Sequence, residues 1–247
     1  MTTPLSNSTE SPAAAAPAPG PILSRRPRVS AVVGLRLLEV IRDLDHPDEV
    51  LEDEDPSLTM PRRLGLSDVI DRQIVMHRDL VRRRHRMTDQ ELHDLFQLVA
   101  RRPDASAIFL RVGQVLGQES RAMDGVLVKV LPELLAYSRA RRIVRRGLSS
   151  LFGRRVGGFT HGPFALEGRS LLFWQIDPSG GACCLVTGYC QGIVEQALPG
   201  RRQVTHSSCQ ARGDDSCRWT VTAEVEHKTL ERDRMSDLLR SPEPEAS

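Results

Sequence analysis

The residues best equipped for chemistry lie close together in the last third of the chain. The run HSSCQARGDDSCRWTV at 206–221 holds His206, Cys209 and Cys217, and ACCLVTGYC just before it holds Cys183, Cys184 and Cys190. Thiols and an imidazole at this density can close a disulfide, bind a soft metal or run redox chemistry. The run 182–198 has helical spacing, with Cys183, Val186, Cys190, Ile193, Val194 and Ala197 on one buried face. Cys184 turns about 100° away from that face, and Cys183 and Cys190 stand about 10 Å apart along the axis. One helix of this kind supplies one ligand, Cys183, and Cys190 reads as a small buried hydrophobe. In the hairpin, Cys217, Trp219, Val221, Ala223 and Val225 form the inward face of the second arm and alternate with Arg218, Thr220, Thr222 and Glu224. His206 and Cys209 have opposite strand parity, so they converge only if the chain bulges or turns near Ser207 and Ser208. With that bulge, Cys183, His206, Cys209 and Cys217 can meet where the helix starts.

Three thiolates and an imidazole in a closed tetrahedron are a structural zinc set, and the same soft donors admit other thiophilic metals. A Cys209–Cys217 disulfide and simple buried thiols are the competing readings. A redox pair has less support, since there is no Cys-x-x-Cys.

Patterning gives the helices and strands that carry these residues. Residues 1–28 are rich in Pro, Ala and Ser and read as a disordered tail. Residues 29–104 read as a helical extension. In it, 30–44 has helical spacing, an acidic, proline-punctuated linker comes next, and Ser67 caps a helix with Val69, Ile70, Ile74 and Leu80 inward. Thr88 and Glu91 form a capping box ahead of a helix burying Leu92, Leu95, Phe96 and Val99. Helices are expected over 104–119 and 124–150, with Pro132 kinking the latter. Two short strands are expected in 157–177, then the cysteine-bearing helix to Pro199-Gly200, then the hairpin about Gly213-Asp214-Asp215. Residues 226–247 read as a polar tail.

Composition narrows the function classes. The 247 residues are 40% hydrophobic and 27% charged with net charge +2, which favours neither nucleic acid nor membrane. No stretch approaches the ~20 apolar residues of a membrane span, and the N-terminal run is no secretory signal, so a cytoplasmic protein is expected. The arginine runs at 82–86 and 139–146 read as solvated helix faces. No Ser-His-Asp motif, phosphate-binding glycine loop or dinucleotide fingerprint occurs, so a reductase with its own nicotinamide site has no support. Aromatics are only 4% of the chain, yet several gather between 159 and 174. There His161, Phe173 and Trp174 are the candidate ligand-binding residues for an aromatic or hydrophobic small molecule, against ordinary core packing.

The run CCLVTGYCQGIVEQAL and, after it, HSSCQARGDDSCRWTV resemble the 4-vinyl reductase domain family. Cys183, Gly188, Gly192, Cys209, Gly213, Cys217 and Trp219 match its pattern. That family includes ligand-sensing domains of bacterial aromatic-catabolism activators and a protein linked to bacteriochlorophyll synthesis, and its fold is similar to that of transport-particle subunits. The resemblance implies an α/β domain over 105–225, with an antiparallel sheet of about four strands on long helices and often a homodimer. It also implies zinc on Cys183, His206, Cys209 and Cys217, although position 206 usually carries glutamate in the family. The expected function is a non-catalytic sensing module acting through a partner protein, with the N-terminal helices offering the contact. An enzyme or accessory protein of tetrapyrrole (bacteriochlorophyll) vinyl reduction and a scaffold that uses the domain to dimerise are the alternatives.

Overall fold

The computed structural model describes residues 25–45, 69–122, 132–169, 173, 177 and 179–223. Most of the expected tail at 1–28, the acidic linker, Ser67, Trp174, Val225 and the polar tail at 226–247 lie outside the described residues. The order is β1 (Val29–Ser30), α1 (Ala31–Leu44), α2 (Val69–Arg82), β2 (Arg86–Met87), α3 (Asp89–Ala100), α4 (Ala105–Ala122) and α5 (Glu133–Phe152). Then come β3 (Gly158–Phe159), β4 (Ala165–Gly168), a 3-10 turn (Gly181–Cys183), α6 (Cys184–Ala197), β5 (Arg202–Ser208), a second 3-10 turn (Gln210–Arg212) and β6 (Cys217–Ala223). β3, β4, β6 and β5 form, in that spatial order, a four-stranded antiparallel sheet, while β1 and β2 make a small separate pair. The chain is thus an α/β protein with a four-stranded antiparallel sheet and long helices, as expected. No helix among the described residues is long and apolar enough to cross a membrane.

Local signals account for several boundaries. Ser30 caps α1 through Val32 N–H, and both halves of the Thr88–Glu91 capping box are formed at α3. Pro132 opens α5 at its N-cap with extended backbone (φ −52°, ψ 143°) and does not kink it. A proline has no N–H to donate, and the start of a helix is where none is needed. In α2, Ile74 is buried and Ile70 and Leu80 are half-buried, but Val69 is 54% exposed. It stands at the first position of the helix, so solvent reaches it despite its periodicity. The larger of two apolar clusters among the described residues joins Val33, Leu37, Leu92 and Phe96 to Phe109, Val112, Val144, Tyr189 and Trp219, and the smaller holds Leu35, Leu38 and Ile74. The core is therefore continuous across position 104.

The tightest packing is between α4 and α6. Each presents a Gly-x-x-x-Gly face to the other. A Cβ on Gly188 would lie 2.0 Å from Leu110 O, one on Gly192 2.6 Å from Gln114 O, one on Gly113 2.1 Å from Leu185 O, and one on Gly117 2.4 Å from Tyr189 O. The backbones touch because no side chain stands between them. Gly147 of α5 similarly leaves room for the Tyr189 hydroxyl, which donates to Ser120 Oγ at 2.9 Å. This packing fixes the axis of α6, and with it the position of Cys183.

Candidate metal centre

Four side chains from three parts of the fold converge at the N-terminal end of α6. The donor atoms of Cys183, His206, Cys209 and Cys217 all lie within 4.8 Å of one another. Cys183 comes from the 3-10 turn before α6, His206 from β5, Cys209 from the loop after β5, and Cys217 from the first position of β6. The three thiols are buried and the imidazole is half-buried.

The bulge needed for convergence is present. β5 and β6 stay in register as far as His206↔Trp219, and the next pair is Ser208↔Arg218, leaving Ser207 unmatched. That extra residue reverses the parity of the chain beyond it, so Cys209 reaches the side of the sheet that carries His206 and Cys217. His206 lies flat on Trp219, with ring centroids 4.6 Å apart and 5° between planes. The Trp219 indole N–H donates to Thr187 Oγ1 at 3.0 Å, tying the hairpin to α6.

The loop between the two hairpin cysteines is held by its own backbone. Cys209 N–H donates to Asp214 Oδ2 at 2.6 Å, and Cys209 O accepts from Arg212 N–H at 2.9 Å. Gly213 closes the turn at φ +91°, a conformation that disfavours other residues. Gln210 N–H points at Cys217 Sγ, 3.5 Å away. On the helix side, buried Asp177 accepts from Ser179 N–H (3.0 Å), Ser179 Oγ (2.5 Å) and Ala182 N–H (2.8 Å), which fixes the turn that carries Cys183. Gly180, at φ +85°, lets this turn pass against Cys209, since a Cβ there would lie 3.3 Å from Cys209 Sγ and 2.9 Å from Ala211 Cβ.

Two observations test whether a metal fits. His206 Nε2 is buried and has no hydrogen-bond partner, although buried polar atoms are normally paired. The thiols already share charge among themselves. The Cys183 thiol hydrogen-bonds to Cys217 and, with His206 and the Gln210 N–H beside it, holds the Cys217 thiol down at about 4 against the opposing effect of burial. The same bond, with burial, pushes the Cys183 thiol far up. A pocket that stabilises one thiolate and leaves an imidazole nitrogen unpartnered has the donors a soft cation takes. Zinc–sulfur bonds of about 2.3 Å give a tetrahedral edge of about 3.8 Å, so the four donors need only a small contraction to close on an ion.

The cysteines left out of the set also have clear environments. Cys190 is fully buried, and burial alone pushes its thiol up. Cys184 is half-buried, turned toward Ser106. All five cysteines are free thiols, so the structure contains no Cys209–Cys217 disulfide.

Two of the three expected ligand-binding residues are described. Phe173 is buried, edge-on to Phe152 at 4.9 Å and stacked near Phe96 at 6.4 Å. His161 is exposed in the turn between β3 and β4, where Gly162 carries the chain back at φ +113°. Trp174 lies outside the described residues. A cavity of about 880 Å³ lies between α1, α4 and α5, and none of its described lining residues belongs to the metal centre.

Asp177, Gly180 and Asp214 are the contributors that pattern reading does not single out as part of the site. The signal for Asp177 is Asp-Pro-Ser-Gly-Gly directly before a helix, an acidic residue placed to accept the first free N–H groups. If His206 is a ligand, His206→Ala is expected to weaken metal binding by at least about tenfold, while His206→Glu retains it. Competition with a chromophoric chelator reads this directly, and unchanged affinity in the alanine variant would make His206 a bystander. No family model, curated protein or solved structure matches the chain.

Proposed function

We propose that this chain is a non-catalytic small-molecule-sensing module built around a structural zinc ion on Cys183, His206, Cys209 and Cys217. In this reading it works as a homodimer in the cytoplasm and signals through a partner protein. The observation that carries the proposal is the number and closeness of the donors: four protein side chains bring their donor atoms within 4.8 Å of one another, as many as a structural zinc takes, whereas a catalytic zinc keeps a position open for water or substrate. The ion's role is then to fix α6 against the β5–β6 hairpin. The resemblance of the two cysteine segments to the 4-vinyl reductase domain family supports the same reading.

Native mass spectrometry of the purified full-length chain tests it in one measurement. The expected species is a dimer with one zinc per chain. Chelation should then change Trp219 emission in a Trp174→Phe background, because the Trp219 ring lies on His206. Metal-free protein would sink the zinc proposal. A panel of aromatic compounds and tetrapyrroles that leaves the melting temperature untouched would sink the sensing one.

A further inference from the structure

The cavity of about 880 Å³ between α1, α4 and α5 falls within the range usual for small-molecule sites, about 300–1,000 Å³. Its apolar surface can be reached from solvent. Val32 of α1 and Leu151 of α5 are half-buried, and Leu135 at the other end of α5 is 55% exposed. Beneath them Leu116 and Ile143 belong to the core.

The polar groups divide unequally between the walls. On the α1 and α4 side the charges cancel. Glu119, the one acidic residue among the described lining, takes Arg36 through two contacts, Nε to Oε2 at 3.0 Å and Nη2 to Oε1 at 2.5 Å. Arg36 also reaches Glu39, which Arg78 meets at 2.9 Å, so two guanidiniums stand against two carboxylates. The hydroxyls on that side are used as well. Ser120 Oγ donates to Leu116 O and accepts from the Tyr189 hydroxyl, and Ser30 Oγ accepts from Val32 N–H. The α5 side is cationic. Arg139 is half-buried and already engaged. Arg142 and Arg146 are exposed, and among the described residues neither makes a hydrogen bond or an ion pair. They stand one helical turn apart, about 6 Å along the axis, with Ser138 before them and Ser150 after them on the cavity wall. A planar guanidinium fork binds a carboxylate through two parallel N–H···O bonds, which an ammonium cannot do.

We infer that this cavity binds an apolar small molecule carrying two carboxylates along one edge, the acids held by Arg142 and Arg146 and the body resting on Val32 and Leu151. This ligand class is a refinement of the sensing reading above, on which it rests. Two unpaired guanidiniums a turn apart match two separated acids better than one, and Glu119, already neutralised by Arg36, does not repel them. A second copy of the chain is a poorer occupant, because a two-fold axis through the cavity sets Arg142 and Arg146 against their own counterparts.

Isothermal titration calorimetry of the full-length protein as purified tests this with naphthalene-2,6-dicarboxylate, 2-naphthoate and inorganic phosphate. The dicarboxylate is expected to bind at least about tenfold more tightly than the monocarboxylate, the value of one further charge-assisted contact. Arg142→Gln and Arg146→Gln, made singly, should each bring the dicarboxylate down to the affinity of 2-naphthoate while the melting temperature stays as in the parent. Equal affinity of the parent for the two naphthalene acids, or full dicarboxylate affinity in both variants, overturns the dicarboxylate site and leaves the sensing reading standing. Phosphate binding as tightly as the dicarboxylate overturns the apolar-body part and marks an inorganic-anion site. A dimer that either variant splits, seen by native mass spectrometry, marks the cavity as an interface between copies and overturns the ligand site. If neither naphthalene acid binds, the dicarboxylate site falls, and the sensing reading falls with it only if the wider panel of aromatic compounds and tetrapyrroles also fails.

Discussion

Cys217→Ser is expected to lose the metal and, with it, the whole response of stability to metal. An ion that binds the folded chain and not the unfolded one stabilises it by about 4 kcal/mol when free metal is 1,000-fold above Kd. In small structural sites the apparent zinc free energy is on the order of 10 kcal/mol. Set against the ~5–15 kcal/mol that holds a typical domain folded, either figure is large. The parent chain should therefore melt at a lower temperature after chelation and recover on adding zinc. Cys217→Ser and Cys209→Ser should melt low in both conditions. Cys190→Ala is the matched control, since Cys190 is as buried as Cys217 but stands outside the donor set. It should lose packing energy and keep its zinc. Stoichiometric zinc in both serine variants would dismantle the centre as assigned.

The second large effect belongs to a residue with no side chain. Gly188→Ala places a methyl 2.0 Å from Leu110 O and 2.9 Å from Gln114 N, both backbone atoms of α4. Neither can swing aside, so the helices must separate and Gly113, Gly117 and Gly192 lose their contacts together. Overpacking costs typically 1–3 kcal/mol, and a clash against backbone lies at or beyond the upper end. The better helix propensity of alanine returns about 1 kcal/mol. A net loss of about 2 kcal/mol or more is expected from urea unfolding. Gly34→Ala in α1 provides the contrast. There the new methyl meets the His77 ring at 2.9 Å and Leu95 Cδ1 at 3.2 Å, which are side-chain atoms able to shift. Its cost should stay within about 1 kcal/mol. Equal stability of Gly188→Ala and the parent would mean that α4 and α6 are not packed this closely.

What the sequence discloses about this site, and what it withholds, divides along a physical line. Cys183, His206, Cys209 and Cys217 can be grouped from residue type, helix pitch and strand parity, and parity alone calls for the irregularity found at Ser207. These are properties of one element or of adjacent ones. The Thr88–Glu91 box and the antiparallel pairing of β5 with β6 are legible for the same reason. Gly113 and Gly117 carry no such signal, because their meaning depends on which helix lies opposite, and that is decided by the whole fold. The exposure of His161 is equally a matter of what packs elsewhere. Asp177 is an intermediate case, where a local capping signal is present but its target, the turn bearing Cys183, emerges only with the third dimension.

The position of β6 between β4 and β5 bears on how quickly a bound ion could be exchanged. Cys217 opens a strand that is hydrogen-bonded along both edges, and Cys183 lies beneath it with no exposed surface. While both ladders are closed a competing chelator meets only the half-buried His206. Release of the three buried thiols must wait for a ladder to open, an event with the frequency of local unfolding and not of diffusion. Past a modest concentration, more chelator brings no faster removal. The residence time of the ion is thus a property of the sheet, and a cell that wished to empty the site would have to loosen the protein first.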